Sequence, residues 1–303
     1  MKLTCVTATF NCIKSGNRER LIRCIESVAK LQTEHEHLIY DGASADGTAD
    51  LLRELEKRTP CLKVMSEPDA GIYNALNKGV RDAKGEWFYV LGADDYICSG
   101  ATMDNLIGLI EDGVDMVVST VKRDGGRLYF SKLSNLQNLA YYNCYSHQGV
   151  LMRTKWVRLF GGFDELNPVS ADYDMFWKAH KKGLRIEYSF SPFAFYSTGG
   201  LSSDNELCRR CDAVMMQKHL NLTYDQSLNR RRRSIPFRNA LQLFRYEDYA
   251  IRCCAKRLIR DRIVFFAKCM LFPMAILKRL VNMRRIRSVS WRYRFERHCT
   301  DCL

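Results

Sequence analysis

Short apolar runs alternate with amphipathic stretches along the first two thirds of the chain. Apolar or β-branched runs bounded by turn residues predict strands at residues 3–10, 37–40, 62–66, 87–91 and 116–120. Apolar residues recurring at helical spacing predict helices at residues 18–31, 48–58 and 72–83. Such alternation is typical of an α/β fold with a parallel sheet. The pattern therefore predicts an open sheet flanked by helices.

The later part of the chain has a different pattern. An Asp124-Gly125-Gly126 turn signal within residues 121–133 predicts a hairpin, and residues 171–182 predict a helix. Beyond about residue 200 the pattern becomes helical and strongly basic. We therefore expect an α/β domain over residues 1–200 and a basic helical C-terminal region over residues 201–303.

Acidic residues lie at one end of each of three predicted elements. Asp94 and Asp95 end the apolar run that begins at Trp87, Asp41 follows the second predicted strand, and Asp172 opens the helix at 171–182. Adjacent carboxylates repel each other, and a divalent cation with oxygen ligands explains such a pair. Loops at the carboxyl ends of strands in an open α/β sheet line one shared crevice. The sequence thus predicts a metal-assisted site for a phosphorylated ligand.

These motifs form an ordered set that resembles a known family. The chain from about residue 2 to 196 resembles the inverting family-two glycosyltransferases of the GT-A fold, and most closely their bacterial colanic acid, capsule and lipopolysaccharide branch. The segments that carry the resemblance are residues 3–11, 41–48, 66–79, 92–95, 147–148, 160–164 and 171–174. One departure is Ala93, where some members of the family have a carboxylate.

The resemblance implies a nucleotide-sugar site. Its expected contacts with the donor, including base and ribose, are Thr7, Asn11, Asp41, Ser44, Asp69, Asn77 and Lys78. A carboxylate at Asp41 suits this role because it accepts hydrogen bonds from an imide N–H or from ribose hydroxyls. Alternatively, Asp41 caps its own turn and Lys78 is a solvated helix residue.

The resemblance also implies a metal ligand and a catalytic base. Asp95 would bind Mg²⁺ or Mn²⁺ directly, while Asp94 would reach the ribose or a metal-bound water. Asp172 matches the general base, and His147 would bind the diphosphate, the metal or the acceptor, or is a satisfied buried histidine. Because Asp174 lies about 200° further round the helix, it cannot enter the same cleft, and a favourable charge at the helix N-terminus is its preferred role.

Charge separates the end of the chain from the rest. The net charge of the 303 residues is +13, and residues 230–303 carry 20 Lys or Arg against 5 Asp or Glu. The apolar run 263–277 is shorter than the roughly 20 residues that a spanning helix needs, and Pro273 interrupts it. Its basic flanks suit a helix at the surface of an anionic leaflet. A helix packed on the α/β domain is the alternative.

The composition supports further expectations. The chain opens without a signal-peptide pattern, so we expect a cytoplasmic protein, peripheral on the cytoplasmic face of the inner membrane. The 13 cysteines lie mostly in apolar stretches and are expected as reduced thiols, and the two CxxC pairs are too far apart for a compact zinc ribbon. No nucleic-acid fold motif accompanies the Arg230–Arg233 run, so no nucleic-acid partner is expected.

The predicted activity is metal-dependent, inverting transfer of a sugar from a nucleotide-sugar donor, preferably a UDP-sugar. The acceptor is expected to be a growing surface polysaccharide linked to polyprenyl diphosphate. A glycoside hydrolase would need no metal pair or nucleotide pocket. A sugar nucleotidyltransferase would show a Gly-rich basic phosphate loop after the first strand, which residues 9–16 replace poorly. A noncatalytic membrane-associated protein that binds nucleotide sugars would leave the acidic clusters without a catalytic role.

Overall fold

The computed structural model of the chain describes residues 1–110, 112–123, 128–129, 139, 143, 145–200 and 204–221. The chain divides into the units Met1–Ser234 and Ile235–Leu303, and every described residue belongs to the first. The apolar run 263–277, its basic flanks and the Arg230–Arg233 run lie outside the described residues. The predicted boundary at residue 200 stays a prediction.

The described part of the chain alternates strands and helices as the pattern predicts. The strands are β1 Leu3–Thr9, β2 His35–Asp41, β3 Leu62–Ser66, β4 Trp87–Val90, β5 Tyr96–Ile97, β6 Met116–Arg123, β7 Leu128–Tyr129, β8 Val150–Arg153 and β9 Ile186–Tyr196. The α-helices are α1 Arg18–Ala29, α2 Thr48–Arg58, α3 Ile72–Asp82, α4 Gly100–Leu109, α5 Thr154–Leu159, α6 Ala171–Lys182 and α7 Asn205–Leu220, and a 3₁₀ turn covers His147–Gly149.

The strands form one sheet in the order β3-β2-β1-β4-β8-β6-β9-β5, with β7 paired to β6. Strands β3, β2, β1 and β4 are parallel, whereas β8 runs antiparallel to both β4 and β6. The α/β fold class is confirmed, but the expectation of a purely parallel sheet is wrong. Strand β8 is entered from the 3₁₀ turn rather than from a crossover helix, so it can run against its neighbours. The β6–β7 pairing agrees with the predicted hairpin, whose turn at 124–127 lies outside the described residues.

Helix faces and strand faces bury two apolar clusters around the sheet. One joins α1 and α2 to β2 and β3 through Leu21, Ile39, Leu52 and Leu62. The other surrounds β1, β4 and β6 and includes Trp87. Since β1, β2, β3 and β4 are parallel, the loops after them emerge at one edge of the sheet. The 3₁₀ turn before antiparallel β8 and the residues after β9 reach that same edge.

The buried histidine of β2 makes a prediction about acid stability. His37 is fully buried, its Nε2 lies 3.0 Å from the Thr7 hydroxyl, and burial together with nearby His35 lowers its pKa from 6.5 to about 3. Between these values the unfolded chain binds a proton that the folded chain does not, so stability decreases as pH falls. We expect His37 to lower the free energy of unfolding by about 1.4 kcal/mol for each unit by which the pH falls in that window. Urea unfolding of the wild type and His37→Gln at pH 6 and 5 measures the slope, and equal slopes would contradict the assignment.

No helix in the described ranges is both long and apolar enough to cross a membrane.

Candidate active site

The loop after β2 is built around a buried carboxylate. Asp41 accepts hydrogen bonds from Ser44 N at 2.9 Å, from the Ser44 hydroxyl, and from the Ser66 hydroxyl at 2.7 Å. Asp41 thus caps its own turn, as its alternative role required, and also ties that turn to the end of β3. The Asp41 side chain is almost completely buried, so the residues beside it form the exposed surface of this loop.

Asn11 joins the loop after β1 to the Asp41 loop. Its backbone N–H donates to Ser44 Oγ at 2.8 Å, and its Oδ1 accepts from Ala45 N at 3.1 Å. Asn11 has a φ of 48°, a left-handed conformation that asparagine tolerates better than most residues. The structure therefore brings three predicted donor contacts, Asn11, Asp41 and Ser44, into one cluster.

Asp69 completes this cluster from the loop after β3. A Cβ atom placed on Gly42 would lie 2.9 Å from Asp69 Oδ2 and 3.2 Å from the Phe10 ring, so only glycine allows these side chains to approach so closely. Phe10 is 64% exposed beside them. The loops after β1, β2 and β3 thus form one polar cluster with an exposed aromatic side chain beside it.

The loop after β4 places Asp95 beneath Asp94. Asp95 is buried, its Oδ1 accepts from Ser197 N at 2.7 Å, and its Oδ2 accepts from Gln148 Nε2 at 2.8 Å. Burial and the neighbouring Asp94 carboxylate raise its pKa to about 6. Each Asp95 oxygen retains a further lone pair. The loop thus carries two adjacent carboxyl groups, one of them buried.

The Asp94 carboxylate is more accessible than that of Asp95. It is half-buried, and within the described ranges it has neither a hydrogen-bond nor an ion-pair partner. Its backbone carbonyl accepts from the Ser197 hydroxyl at 2.5 Å, which fixes the main chain of the turn. Gly92 is required here, because a Cβ atom would lie 2.6 Å from Asp95 Oδ2.

The predicted base lies on the other side of His147. Asp172, at the start of α6, has its Oδ2 3.5 Å from His147 Nδ1. Its Oδ1 accepts from Tyr173 N at 2.7 Å and from Asn143 Nδ2 at 3.2 Å. Burial alone would lower the pKa of His147, but Asp172, Asp95 and Asp94 raise it above 6.5. These three carboxylates therefore favour the cationic form of His147.

Asp174 points away from this site, as the helical geometry required. It is fully buried, forms ion pairs with Lys178 at 2.7 Å and Lys218 at 3.1 Å, and is hydrogen-bonded to His219 Nε2 at 2.6 Å. Burial opposes its ionised form, yet the hydrogen bonds from His219 and Lys178 hold its pKa well below 3.8. Asp174 is thus a structural link from α6 to α7, which is a larger role than a charge at a helix end.

Two of the predicted donor contacts, Thr7 and Lys78, lie outside the Asn11–Asp41–Ser44 cluster. Thr7 is fully buried, and its hydroxyl donates to Leu91 O at 2.9 Å, so it lies in the core beneath the site. Lys78 forms an ion pair with Glu67 at 2.7 Å and donates to Pro68 O, so it holds the loop that leads to Asp69. Their expected direct nucleotide contacts stay predictions, and the structure gives these two residues supporting contacts.

Asn77 anchors a neighbouring loop. Its Oδ1 accepts from Phe163 N at 2.8 Å, and its Nδ2 donates to Phe163 O at 2.9 Å and to Glu165 at 2.7 Å. Gly162 is confined by it, since a Cβ there would lie 2.3 Å from Asn77 Oδ1. These contacts use the polar atoms of the buried amide inside the protein.

The Asn77 geometry predicts a stability effect rather than a binding effect. Asn77→Ala leaves the Phe163 peptide groups without their partner, which should cost about 1–3 kcal/mol of unfolding free energy. Nucleotide affinity of the folded variant should stay within about twofold, a change worth about 0.4 kcal/mol. Urea unfolding and calorimetric nucleotide titration measure the two quantities. A large loss of affinity at unchanged stability would instead support a direct nucleotide contact.

Sequence reasoning missed two site residues. Ser197 holds the Asp95 carboxylate together with Gln148, which the motifs had indicated beside His147, and Phe10 lies exposed beside the Asp41 loop. Ser197 follows β9, an unpredicted strand, and nothing local in the sequence relates it to Asp95, which lies about 100 residues earlier.

The chemistry of the acidic pair fits a divalent cation. The only metal-ligand atoms that these two side chains offer are carboxylate oxygens, which Mg²⁺ and Mn²⁺ prefer. Within the described ranges no group of three or more His, Cys, Asp or Glu residues converges on a metal position. A bound cation would therefore take further oxygens from its ligand or from water, as Mg²⁺ does when it binds substrate phosphates.

The glycosyl transferase family 2 model matches residues 4–166 of this sequence. The protein therefore belongs to the family 2 glycosyltransferases, and the resemblance found in its motifs is confirmed. A PGL/p-HBAD biosynthesis glycosyltransferase of Mycobacterium bovis (strain BCG / Pasteur 1173P2) is 28% identical over 200 residues, which cover 62% of this chain and 77% of that protein. A chondroitin synthase of Pasteurella multocida (strain Pm70) is 27% identical over 222 residues, covering 69% of this chain but only 22% of the synthase.

Solved structures confirm the GT-A fold. S. aureus TarS 1–349 in complex with UDP-GlcNAc aligns with a TM-score of 0.59 and 20% identity, covering 86% of this chain and 90% of that one. The mannosyltransferase PcManGT from Pyrobaculum calidifontis, in complex with GDP-Man and Mn²⁺, aligns with a TM-score of 0.54 and 16% identity, covering 89% and 81%. At these identities the likeness concerns the fold alone.

Proposed function

We propose that this glycosyltransferase transfers a sugar from a nucleotide-sugar donor with inversion, in a reaction that depends on a divalent cation. The observation that carries the proposal is the His147-Gln148 pair. Gln148 binds Asp95 at 2.8 Å, while His147 lies 3.5 Å from Asp172. Two consecutive residues thus connect the Asp94–Asp95 pair to a separate carboxylate, an arrangement that suits metal-assisted transfer with one general base.

The donor nucleotide would bind at the polar cluster formed by the loops after β1, β2 and β3. Ser44 and Asp69 supply hydrogen-bonding groups there, Asn11 and Asp41 hold the loops in place, and Phe10 offers an aromatic face for a base. A UDP-sugar is the favoured donor. The TarS complex with UDP-GlcNAc supports this choice, whereas PcManGT is described with GDP-Man, so the base needs a direct test.

Asp95 and Asp94 would hold the cation at the next loop. Asp95 is the proposed direct ligand, because its orientation is fixed by Ser197 and Gln148, and Asp94 would reach a ribose hydroxyl or a water on the ion. The cation, Mg²⁺ or Mn²⁺, would neutralise charge that develops on the departing diphosphate. The description of PcManGT with Mn²⁺ is consistent with this cofactor class.

Asp172 would take the proton from the acceptor hydroxyl. Its carboxylate is partly exposed, its Oδ1 is oriented by Tyr173 N and Asn143, and its Oδ2 faces His147. Direct attack by the acceptor oxygen inverts the anomeric centre, so an α-linked donor would give a β-linked product. His147, whose pKa the neighbouring carboxylates raise, would attract an anionic donor group in its cationic form.

The acceptor is proposed to be a growing surface glycan, carried on a polyprenyl diphosphate at the cytoplasmic face of the inner membrane. The relatives support glycan synthesis in a broad sense, since one is named for PGL/p-HBAD biosynthesis and another is a chondroitin synthase. The lipid carrier and the location rest on the basic, partly apolar C-terminal region, which lies outside the described residues.

A donor panel tests the function directly. Full-length protein is incubated with UDP-, GDP- and dTDP-sugars, with Mn²⁺, Mg²⁺ or a chelator, and calorimetry and release of the nucleoside diphosphate are followed. We expect one nucleotide class to bind in a metal-dependent manner, and NMR of the product to show an inverted anomeric configuration. Release of pyrophosphate would point to a nucleotidyltransferase, while binding without any turnover would point to a noncatalytic protein.

Removing residues 230–303 tests the membrane proposal. The truncated protein should leave anionic liposomes but retain nucleotide affinity, because each basic residue near such a surface contributes about 1 kcal/mol of binding free energy. Flotation at low and high salt measures the first quantity and calorimetry the second. If the full-length chain stays soluble even at low salt, the basic region serves another purpose.

A further inference from the structure

Helix α7 contacts the turn that carries the proposed base. Both α7 and Asp172 lie after residues 4–166, the part that the family model matches. Helix α7 also lies beyond the expected domain boundary at residue 200. Helix α7 therefore belongs to a region that neither the motif pattern nor the family match assigned to the site.

The first contact joins Ser170 to Asp212. Ser170 is the N-cap residue of α6, and serine at this position ordinarily accepts a hydrogen bond from a backbone N–H of the first turn. Here its side chain makes no such cap. Its hydroxyl instead donates to Asp212 Oδ1 on α7 at 2.7 Å, and both residues are buried. The start of α6 is thus held by a side chain of another helix.

The preceding turn is held by the neighbouring residue of α7. Asn167 Nδ2 donates to Cys211 O at 3.3 Å, and its Oδ1 accepts from Val169 N at 3.1 Å and from Ser170 N at 2.7 Å. Two consecutive residues of α7 therefore fix the chain that leads into α6. These contacts lie directly before Asp172 in the sequence.

A second group of contacts follows Asp172. Asp174 is paired with Lys218 and His219 of α7, and the rings of His219 and Trp177 stack with their centroids 5.5 Å apart. Helix α7 thus contacts residues that lie both before and after Asp172 in the sequence. The Asp172 carboxylate accepts from Tyr173 N at 2.7 Å, so its orientation follows the backbone of that turn.

We infer that α7 is the element that positions the general base, and that Asp212 acts as a positioning residue through Ser170. This inference rests on the proposed role of Asp172. Loss of the Asp212–Ser170 hydrogen bond lets the first turn of α6 move, and with it the Asp172 carboxylate. A misplacement of about 1 Å at a catalytic group can cost about 10²-fold in rate. Donor binding involves other loops and should not change.

The test compares steady-state kinetics of Asp212→Ala, Ser170→Ala and the double variant in the full-length chain. We expect each single variant to lower kcat by about 10- to 100-fold with the donor KM within about twofold. Because both remove the same hydrogen bond, the double variant should be no slower than the slower single variant. Asp212→Asn retains an oxygen that accepts from Ser170, so it should restore most of kcat.

Asp204→Ala is the matched control. Asp204 caps α7 by accepting from Glu206 N and Leu207 N, both at 3.0 Å, and among the described residues it forms no hydrogen bond or ion pair with α6. Removing it should lower the melting temperature through loss of a helix cap while leaving kcat unchanged. An equal loss of kcat in this control would mean that α7 acts only through general stability, which would overturn the inference.

Other outcomes are equally decisive. Wild-type kcat in both Asp212→Ala and Ser170→Ala would overturn the inference, and so would additive losses or a failure of Asp212→Asn to restore turnover. If Asp212→Ala does not fold, Ser170→Ala with Asp212→Asn still decides. If Asp172→Asn keeps normal turnover, the proposed base is wrong, whereas an inactive Asp172→Asn beside an unaffected Asp212→Ala removes only the role of α7.

Discussion

Replacing Asp172 by Asn should lower kcat by about 10²- to 10⁴-fold, because an amide cannot take the proton from the acceptor hydroxyl. The change is nearly isosteric, and the side-chain oxygen that accepts from Tyr173 N can be retained. Folding and donor affinity should therefore stay close to those of the wild type. Steady-state kinetics with saturating donor, together with calorimetric nucleotide titration, measure the two effects.

Two further variants show whether another group acts as the base. Asp174→Asn disturbs the ion pairs of a buried carboxylate with Lys178 and Lys218 and its hydrogen bond with His219, so its main effect should be a lower melting temperature. His147→Gln should reduce turnover less than Asp172→Asn does, since it removes a charge beside the reacting groups and not the proton acceptor. Near-normal turnover of Asp172→Asn would transfer the role to one of these residues.

Asp95→Ala should abolish transfer, whereas Asp94→Ala should leave a weaker but measurable activity. Asp95 is the proposed metal ligand, and its removal also leaves Ser197 N and the Gln148 amide without their partner. Removal of the Asp94 carboxylate breaks no hydrogen bond or ion pair within the described ranges. Both variants are titrated with Mn²⁺ while nucleoside diphosphate release is followed. Unchanged metal dependence in Asp95→Ala would contradict the assignment of the ligand.

A matched variant separates charge from structure at this position. Asp95→Asn keeps an oxygen that can accept from Ser197 N or Gln148, but it lowers the negative charge that a cation requires. Its amide N–H₂ group faces the other of these two donors, so it should lose about 1–3 kcal/mol of unfolding free energy, and it should still require far more Mn²⁺ for any turnover. Full activity at low Mn²⁺ would show that Asp95 serves only to hold the loop.

The local part of the fold followed from the residue pattern. The periodicity of residues 48–58 and 62–66 predicted α2 and β3 at their observed bounds, because burial of one helix face or one strand is dictated by nearby residues. Strand β8 was missed since Val150–Arg153 is too short to show a period. Strand β9 was missed as well, and its place in the sheet depends on pairing with β6, which lies far away in sequence.

The site followed from the sequence only in part. The motifs pointed to Asp94, Asp95, Asp172 and His147 as neighbours, and the structure brings them together through Gln148. The motifs also suggested Asn77 as a donor contact, but its buried amide is occupied by Phe163 and Glu165. A side chain at a motif position can face the ligand or support the loop beside it, and only its partners distinguish the two roles.

The sequence by itself determined the family, the α/β class and the acidic residues at the ends of strands, because short-range periodicity and ordered motifs carry that information. The tertiary structure alone decided the reversed direction of β8, the hold of Ser197 and Gln148 on Asp95, and the contact of Asp212 with Ser170. Each of these joins residues far apart in the chain. Such contacts depend on how whole elements pack. No local pattern in the sequence determines hydrogen-bond distances to within a few tenths of an ångström.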